Sequence, residues 1–149
     1  MREIYTVTIQ LRVGDYMSTD VITVTPDTEI MRAVNVLVDH NISGVPIVDE
    51  DGRLVGILTE RDCIEVAVNA GYFDEAGGRV RDFMTSPVET CQPTDSLMDV
   101  AARLITSRYR RYPVVEDARL IGLISRRDVL RALKKASWFS KPSSSIRTP

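Results

Sequence analysis

Apolar residues keep two rhythms along this chain, and the same succession of rhythms occurs twice. Short apolar runs at 21–24, 45–48 and 54–58 have strand length and strand-like boundaries; runs at 112–115 and 120–124 repeat the last two, and Val88–Cys91 stands in the place of the first. Between the first and second run of each set the spacing lengthens. Ile30, Ala33, Val34, Leu37 and Val38 recur at i, i+3, i+4, i+7 and i+8, as do Leu97, Val100, Ala101, Leu104 and Ile105, which is one apolar stripe per helix. Pro26-Asp27-Thr28 and Pro93-Thr94-Asp95 are the expected starts of these helices. Asp49-Glu50-Asp51-Gly52 predicts a hairpin turn, and Thr59 and Ser125 each open a second helix. Each half therefore reads β-α-β-β-α, an α/β class with small mixed sheets against which the helices lay their stripes.

The two halves are copies. Asp15, Met17, Pro26 and Pro46 return as Asp82, Met84, Pro93 and Pro113, a constant 67 residues on; beyond the turn the spacing falls to 66, from Gly56 to Gly122 and from Asp62 to Asp128. Two such copies are expected to bury their apolar faces together and to form two equivalent clefts at their junction. Residues 1–12 stand outside the repeat and alternate Tyr5, Val7, Ile9, Leu11 with Thr6, Thr8, Gln10, an extra strand with one wet face. The first repeat then spans 13–70, the linker and second repeat 71–136, and 137–149 is expected to be a flexible, basic, Ser/Pro-rich tail.

At 149 residues the chain suits one compact domain or two subdomains sharing a core. Hydrophobic residues at 44% and charged residues at 27% exclude a disordered or membrane composition. No apolar run reaches the roughly 20 residues of a membrane span, and Met1–Asp15 lacks the features of a signal peptide, so a cytoplasmic location is expected. Cys63 and Cys91 occupy non-equivalent repeat positions and suggest neither a disulfide nor a zinc site. The net charge of −2 argues against nucleic acid as a partner. The charge is uneven, however, since no acidic residue occurs from Val129 to Pro149 while Arg131, Lys134, Lys135, Lys141 and Arg147 do.

One short motif carries chemistry: G-x-x-[TS]-x-x-D, at Gly56–Asp62 and again at Gly122–Asp128. Hydroxyl and carboxylate three residues apart form a helix cap. The preceding glycine in both copies adds a second meaning, because a strand end leading into a helix N-terminus presents N–H groups to a phosphate. The carboxylate could then accept hydrogen bonds from a ribose diol. Arg108, Arg110 and Arg111 fit either phosphate contact or a solvated helix end, and His40 has no catalytic constellation around it. Trp138-Phe139 reads as an aromatic pair that packs on the last helix or on a second protomer.

These motifs, with D-[YF]-M-[ST] at Asp15 and Asp82, Thr23-Val24-Thr25-Pro26 and Thr90-Cys91-Gln92-Pro93, and the Pro46 and Pro113 strands, make the chain resemble a tandem pair of cystathionine β-synthase (CBS) domains, a Bateman module, over residues 13–136. The resemblance implies two repeats related by a pseudo-twofold axis, and a regulatory, non-enzymatic module that binds AMP, ADP or ATP in two clefts. The first cleft would take Thr59, Asp62, Pro87, Val88, Tyr109, Arg110 and Arg111, with Asp62 on the ribose and Arg111 on phosphate. The second would take Asp20, Val21, Ile42, Ser43, Val45, Ser125 and Asp128. Gly44 stands there in the place of Arg111 and Asp20 in that of Pro87, which disfavours an anionic ligand. The resemblance also implies a homodimer and signalling to a separate partner protein, with no cofactor and no metal. Two other expectations stay open: a ligand-free interaction module, and a sensor of S-adenosylmethionine or NAD(H).

Overall fold

In the computed structural model, which describes residues 11–73 and 77–138, a 3-10 turn at Val13–Asp15 is followed by α1 (Ile30–Asp39), β1 (Gly44–Val48), β2 (Leu54–Thr59), α2 (Glu60–Phe73), α3 (Val80–Phe83), α4 (Leu97–Thr106), β3 (Arg111–Glu116), β4 (Arg119–Ser125) and α5 (Arg126–Lys135). The expected α/β class holds, with five α-helices and two small sheets, β1–β2 and β3–β4, among the described residues. The expected N-terminal strand lies outside the described residues except for Leu11 and Arg12, as do Phe139 and the rest of the tail.

The chain divides into two compact units that do not follow the repeats as cut in sequence. One holds Val21–Glu89 with the turn residues Asp117–Leu120, and is called here the β1–β2 unit; the other, the β3–β4 unit, holds the opening residues to Asp20, Thr90–Glu116 and the chain from Ile121. The core of the first includes Val24, Ile30, Ala33, Leu37, Val45, Ile47, Leu58, Val66 and Val80. That of the second includes Val13, Cys91, Leu97, Val100, Leu104, Tyr112, Val114, Ile124, Val129 and Ala132. Ile30, Ala33 and Leu37 of α1, and Leu97, Val100 and Leu104 of α4, are the buried members of the two sequence stripes.

β1 and β2 pair antiparallel from Gly44↔Thr59 to Val48↔Leu54. The expected strand at 21–24 shrinks to one parallel bridge, Val24↔Ile47, made by Val24 N–H to Pro46 C=O (3.2 Å) and Val48 N–H to Val24 C=O (3.0 Å). The cause is Pro46. Extending a parallel ladder by one step would need its N–H as a donor, and proline has none. Pro113 does the same to the strand expected at 88–91, leaving only Cys91↔Val114. The helix starts also shift. Pro26–Thr28 forms a turn closed by Thr28 N–H to Thr25 C=O (3.1 Å), so α1 begins only at Ile30; α4 begins after Ser96, whose hydroxyl accepts from Asp99 N–H. At the other end α2 runs to Phe73, into the segment expected to be linker.

The outer edge of each sheet is covered by the opening of the other repeat. Thr85 pairs with Ile57 through mutual backbone bonds of 2.8 and 3.0 Å, and Ser18 pairs with Leu123 through bonds of 2.8 and 2.9 Å. Thus D-F-M-T of the second repeat completes the sheet of the first, and D-Y-M-S of the first completes the sheet of the second. This exchange explains why the compact units cut across the repeats.

Candidate functional site

Thr59 ends β2 and α2 begins at the next residue, so the Thr59–Asp62 segment is the junction of strand and helix. Its side chains cap the helix reciprocally: Asp62 N–H donates to Thr59 Oγ1 (3.2 Å) and Thr59 N–H donates to Asp62 Oδ2 (2.9 Å). Ser43 C=O accepts from Glu60 N–H (2.9 Å), which brings the entry of β1 against the same junction. The Thr85 hydroxyl lies 3.4 Å from both Asp62 oxygens. Oδ1 meets only this neutral hydroxyl among the described residues, no cation, so it keeps acceptor capacity for a further donor while Oδ2 holds the cap.

The second junction is built alike but closed. Asp128 Oδ2 accepts from Ser125 N–H (2.9 Å) and the Ser125 hydroxyl (3.0 Å), and Asp128 N–H donates back to Ser125 Oγ (3.1 Å). Its Oδ1 is taken by Arg131 Nη1 at 3.3 Å, and the residue is only 8% exposed. The matching position in the first repeat is Glu65, which cannot do the same for Asp62. The two carboxylates therefore differ in what they offer a ligand, although the sequence motif is identical. Neither Thr85 nor Arg131 was among the residues expected from sequence. Arg131 sits at i+3 from Asp128 on a helix, a spacing that signals such a pair; Thr85 is found only through the exchange of openings.

The glycine of the motif proves to have a packing role. It lies inside the strand, and a Cβ at Gly56 would stand 2.6 Å from Met84 Sδ and 3.1 Å from Thr85 C=O. At Gly122 it would stand 2.7 Å from Met17 Sδ and 2.8 Å from Ser18 C=O. The glycine admits the crossing segment; its duplication follows from the duplicated exchange and needs no phosphate.

The other expected site residues fall as follows. In the β1–β2 unit Val21, Ile42 and Ser43 are half-buried and Val45 is fully buried; Pro87 is exposed, follows Ser86 through a cis peptide bond, and leads to the half-buried Val88. In the β3–β4 unit Asp20 and Arg110 are exposed and Tyr109 is half-buried against Tyr112. Arg110 C=O accepts from Arg126 N–H (3.2 Å), so this segment borders the Ser125–Asp128 junction. Arg111 carries a buried Nε with no hydrogen-bond partner among the described residues. Such an orphan donor would be satisfied by an anion. Beside Asp62, burial and then the charges of Asp62 and Glu60 raise the Cys63 thiol above its ordinary pKa, which makes it a weak nucleophile. Among the described residues no three His, Cys, Asp or Glu side chains are grouped to hold a metal ion, and no helix is long and apolar enough to cross a membrane.

The profile of the CBS domain matches residues 13–69 and 80–135, one match for each repeat. The chain belongs to the CBS-domain family. This CBS pair is similar to the inosine-5'-monophosphate dehydrogenase of Methanocaldococcus jannaschii, at 39% identity over 117 residues covering 77% of the chain but 22% of the enzyme. The chain thus spans about a fifth of that relative. Among solved structures it is similar to CBSX2 in complex with AMP (TM-score 0.74, 30% identity, 83% of this chain and 96% of that one). It is also similar to the CBS domain pair of protein MJ0100 in complex with 5'-methylthioadenosine and S-adenosyl-L-methionine (TM-score 0.70, 30% identity, 84% and 97%).

Proposed function

We propose that this CBS pair is a regulatory module that binds an adenosyl ligand, foremost an adenine nucleotide, at the strand-to-helix junctions. The observation that carries this is Asp62: a carboxylate held by its cap through one oxygen, with the other left to accept from a ribose hydroxyl. CBSX2, with the same fold, is solved with AMP, which supports an adenosine-sized ligand here. The first site is taken as Thr59 and Asp62 with Pro87, Val88, Tyr109, Arg110 and Arg111, the arginines meeting phosphate. The second is taken as Ser125 and Asp128 with Asp20, Val21, Ile42, Ser43 and Val45, and it is the weaker, because Arg131 already occupies the Asp128 oxygen that corresponds to the open one. A specific contact favours a variant of this assignment: Arg110 borders Ser125 through Arg126 N–H, so the arginines could serve Asp128 instead.

The module acts on a partner protein by favouring one conformer or assembly when occupied, which requires the ligand to bind the two states unequally. A homodimer in the cytoplasm is the working form. Isothermal titration with AMP, ADP, ATP, NADH and S-adenosylmethionine tests the proposal. Asp62→Ala should weaken the tightest ligand roughly tenfold to a hundredfold, the value of one hydrogen bond to a charged group. Arg111→Ala combined in turn with Asp62→Ala and Asp128→Ala shows which junction the arginine serves. Absence of binding by every ligand to the intact chain would return the ligand-free interaction module.

A further inference from the structure

An aspartate carboxylate turns easily about its last bond, because a torsion between an sp³ and an sp² carbon is broad. One bond to one oxygen, such as that from Thr59 N–H to Asp62 Oδ2 at 2.9 Å, therefore leaves the direction of the other oxygen loosely set. The Asp128 carboxylate gains a further hold from Arg131 of its own helix. For Asp62 the further hold is Thr85, 23 residues on, whose hydroxyl straddles both carboxylate oxygens at 3.4 Å. That distance exceeds the about 2.7–2.8 Å of a full O–H···O bond, so the hydroxyl guides the carboxylate without using up its capacity to accept. Thr85 is itself firmly placed. Its N–H and C=O are both bonded to Ile57, at 2.8 and 3.0 Å, and Met84 before it closes on Gly56, where a Cβ would stand 2.6 Å from the sulfur. Its β-branched side chain is stiff about χ1, so a fixed backbone fixes the hydroxyl. Thr85 is exposed, and its hydroxyl serves neither the core nor the Thr59–Asp62 backbone cap.

We infer that Thr85 is a positioning residue: it orients the Asp62 carboxylate so that Oδ1 meets a ribose diol, and so lets the junction tell a ribonucleotide from its deoxy counterpart. The inference rests on the adenosyl-ligand reading of Asp62 given above. A site built to hydrogen-bond a hydroxyl rejects the analogue that lacks it, but only as well as its acceptor is aimed. Thr85 acts through Asp62 and not by touching the ligand. Its effect therefore vanishes when either Asp62 or the ribose hydroxyls are taken away. Thr59, Asp62 and Thr85 all lie in the β1–β2 unit, so the aim of Asp62 is set within that unit.

The test is calorimetric titration of the full chain with AMP and with its 2′,3′-dideoxy analogue, for the parent, Thr85→Val, Thr85→Ser, Asp62→Ala and the double variant Thr85→Val with Asp62→Ala. Valine keeps the branching and strand preference of threonine without its hydroxyl, so the thermal midpoint should not fall. Thr85→Val should weaken AMP roughly three- to tenfold, the value of one modest hydrogen bond, and leave the dideoxy analogue unchanged. Thr85→Ser should recover most of the loss, and on the Asp62→Ala background Thr85→Val should cost nothing more. The inference alone is overturned by AMP binding in Thr85→Val as tight as the parent's, by equal losses for AMP and the dideoxy analogue, by Thr85→Ser binding as poorly as Thr85→Val, or by a full further loss in the double variant, which would put Thr85 on the ligand itself. An intact chain that does not bind AMP, or whose affinity Asp62→Ala leaves unchanged, overturns the reading of Asp62 and this inference with it.

Discussion

Gly122→Ala and Gly56→Ala are the same substitution at equivalent positions, yet the structure separates their costs. Alanine in a strand is ordinarily better than glycine by about 0.5–1 kcal/mol. At Gly122 the new methyl meets Ser18 C=O at 2.8 Å, and that carbonyl is held by Leu123 N–H at 2.9 Å, so relief requires the bridge to open. At Gly56 the nearest atom is the flexible Met84 Sδ at 2.6 Å, and the backbone oxygen of Thr85 is farther, at 3.1 Å. Overpacking costs about 1–3 kcal/mol, so Gly122→Ala belongs at about 2–3 and Gly56→Ala at about 1 kcal/mol. At roughly 2–4 °C per kcal/mol for a chain of this size, the midpoints should fall by about 4–12 °C and 2–4 °C respectively. Circular dichroism melts with a double-mutant cycle make the test sharper. Met84→Ala should relieve Gly56→Ala, because the side chain is the obstacle, whereas Met17→Ala should not relieve Gly122→Ala, because a carbonyl is. A Gly122→Ala protein as stable as the parent, or rescued by Met17→Ala, would refute the crossing-segment account of the motif glycine.

Three further outcomes follow from the same structure. Burial first, then the charge of Asp95 against a smaller opposing effect of Arg103, pushes the Cys91 thiol up to about 11 from 9.0. The folded state therefore keeps a proton that the unfolded chain gives up near pH 9.0, and stability whole below that pH should drain away as pH rises to about 11; Cys91→Ala should flatten this slope in urea melts. Ile64 and Val68 stand 62% and 64% exposed one turn apart on α2, so Ile64→Glu with Val68→Glu should leave the fold intact and convert the proposed homodimer to the 16.7 kDa monomer in sedimentation. Ser125→Ala removes a cap hydroxyl with two bonds and should cost about 1 kcal/mol by denaturant titration, a loss of stability without loss of AMP binding at the Asp62 junction.

Periodicity and duplication by themselves determine much of this protein. The stripes of α1 and α4 are legible because burial on one helix face forces a 3.6-residue rhythm. The reciprocal caps at Thr59–Asp62 and Ser125–Asp128 are legible because capping is local, spanning three residues. Contacts that join distant segments are decided only in three dimensions. The crossing of Met84-Thr85 onto β2 and of Met17-Ser18 onto β4 leaves no periodic trace, and with it went the reason for Gly56 and Gly122. Pro46 and Pro113 were visible as strand residues, but that they end the parallel ladder depends on which side of the strand their missing donor faces. Asp62 and Asp128 read alike in sequence. They differ because Arg131 reaches one of them across a helical turn and Thr85, from another part of the chain, meets the other.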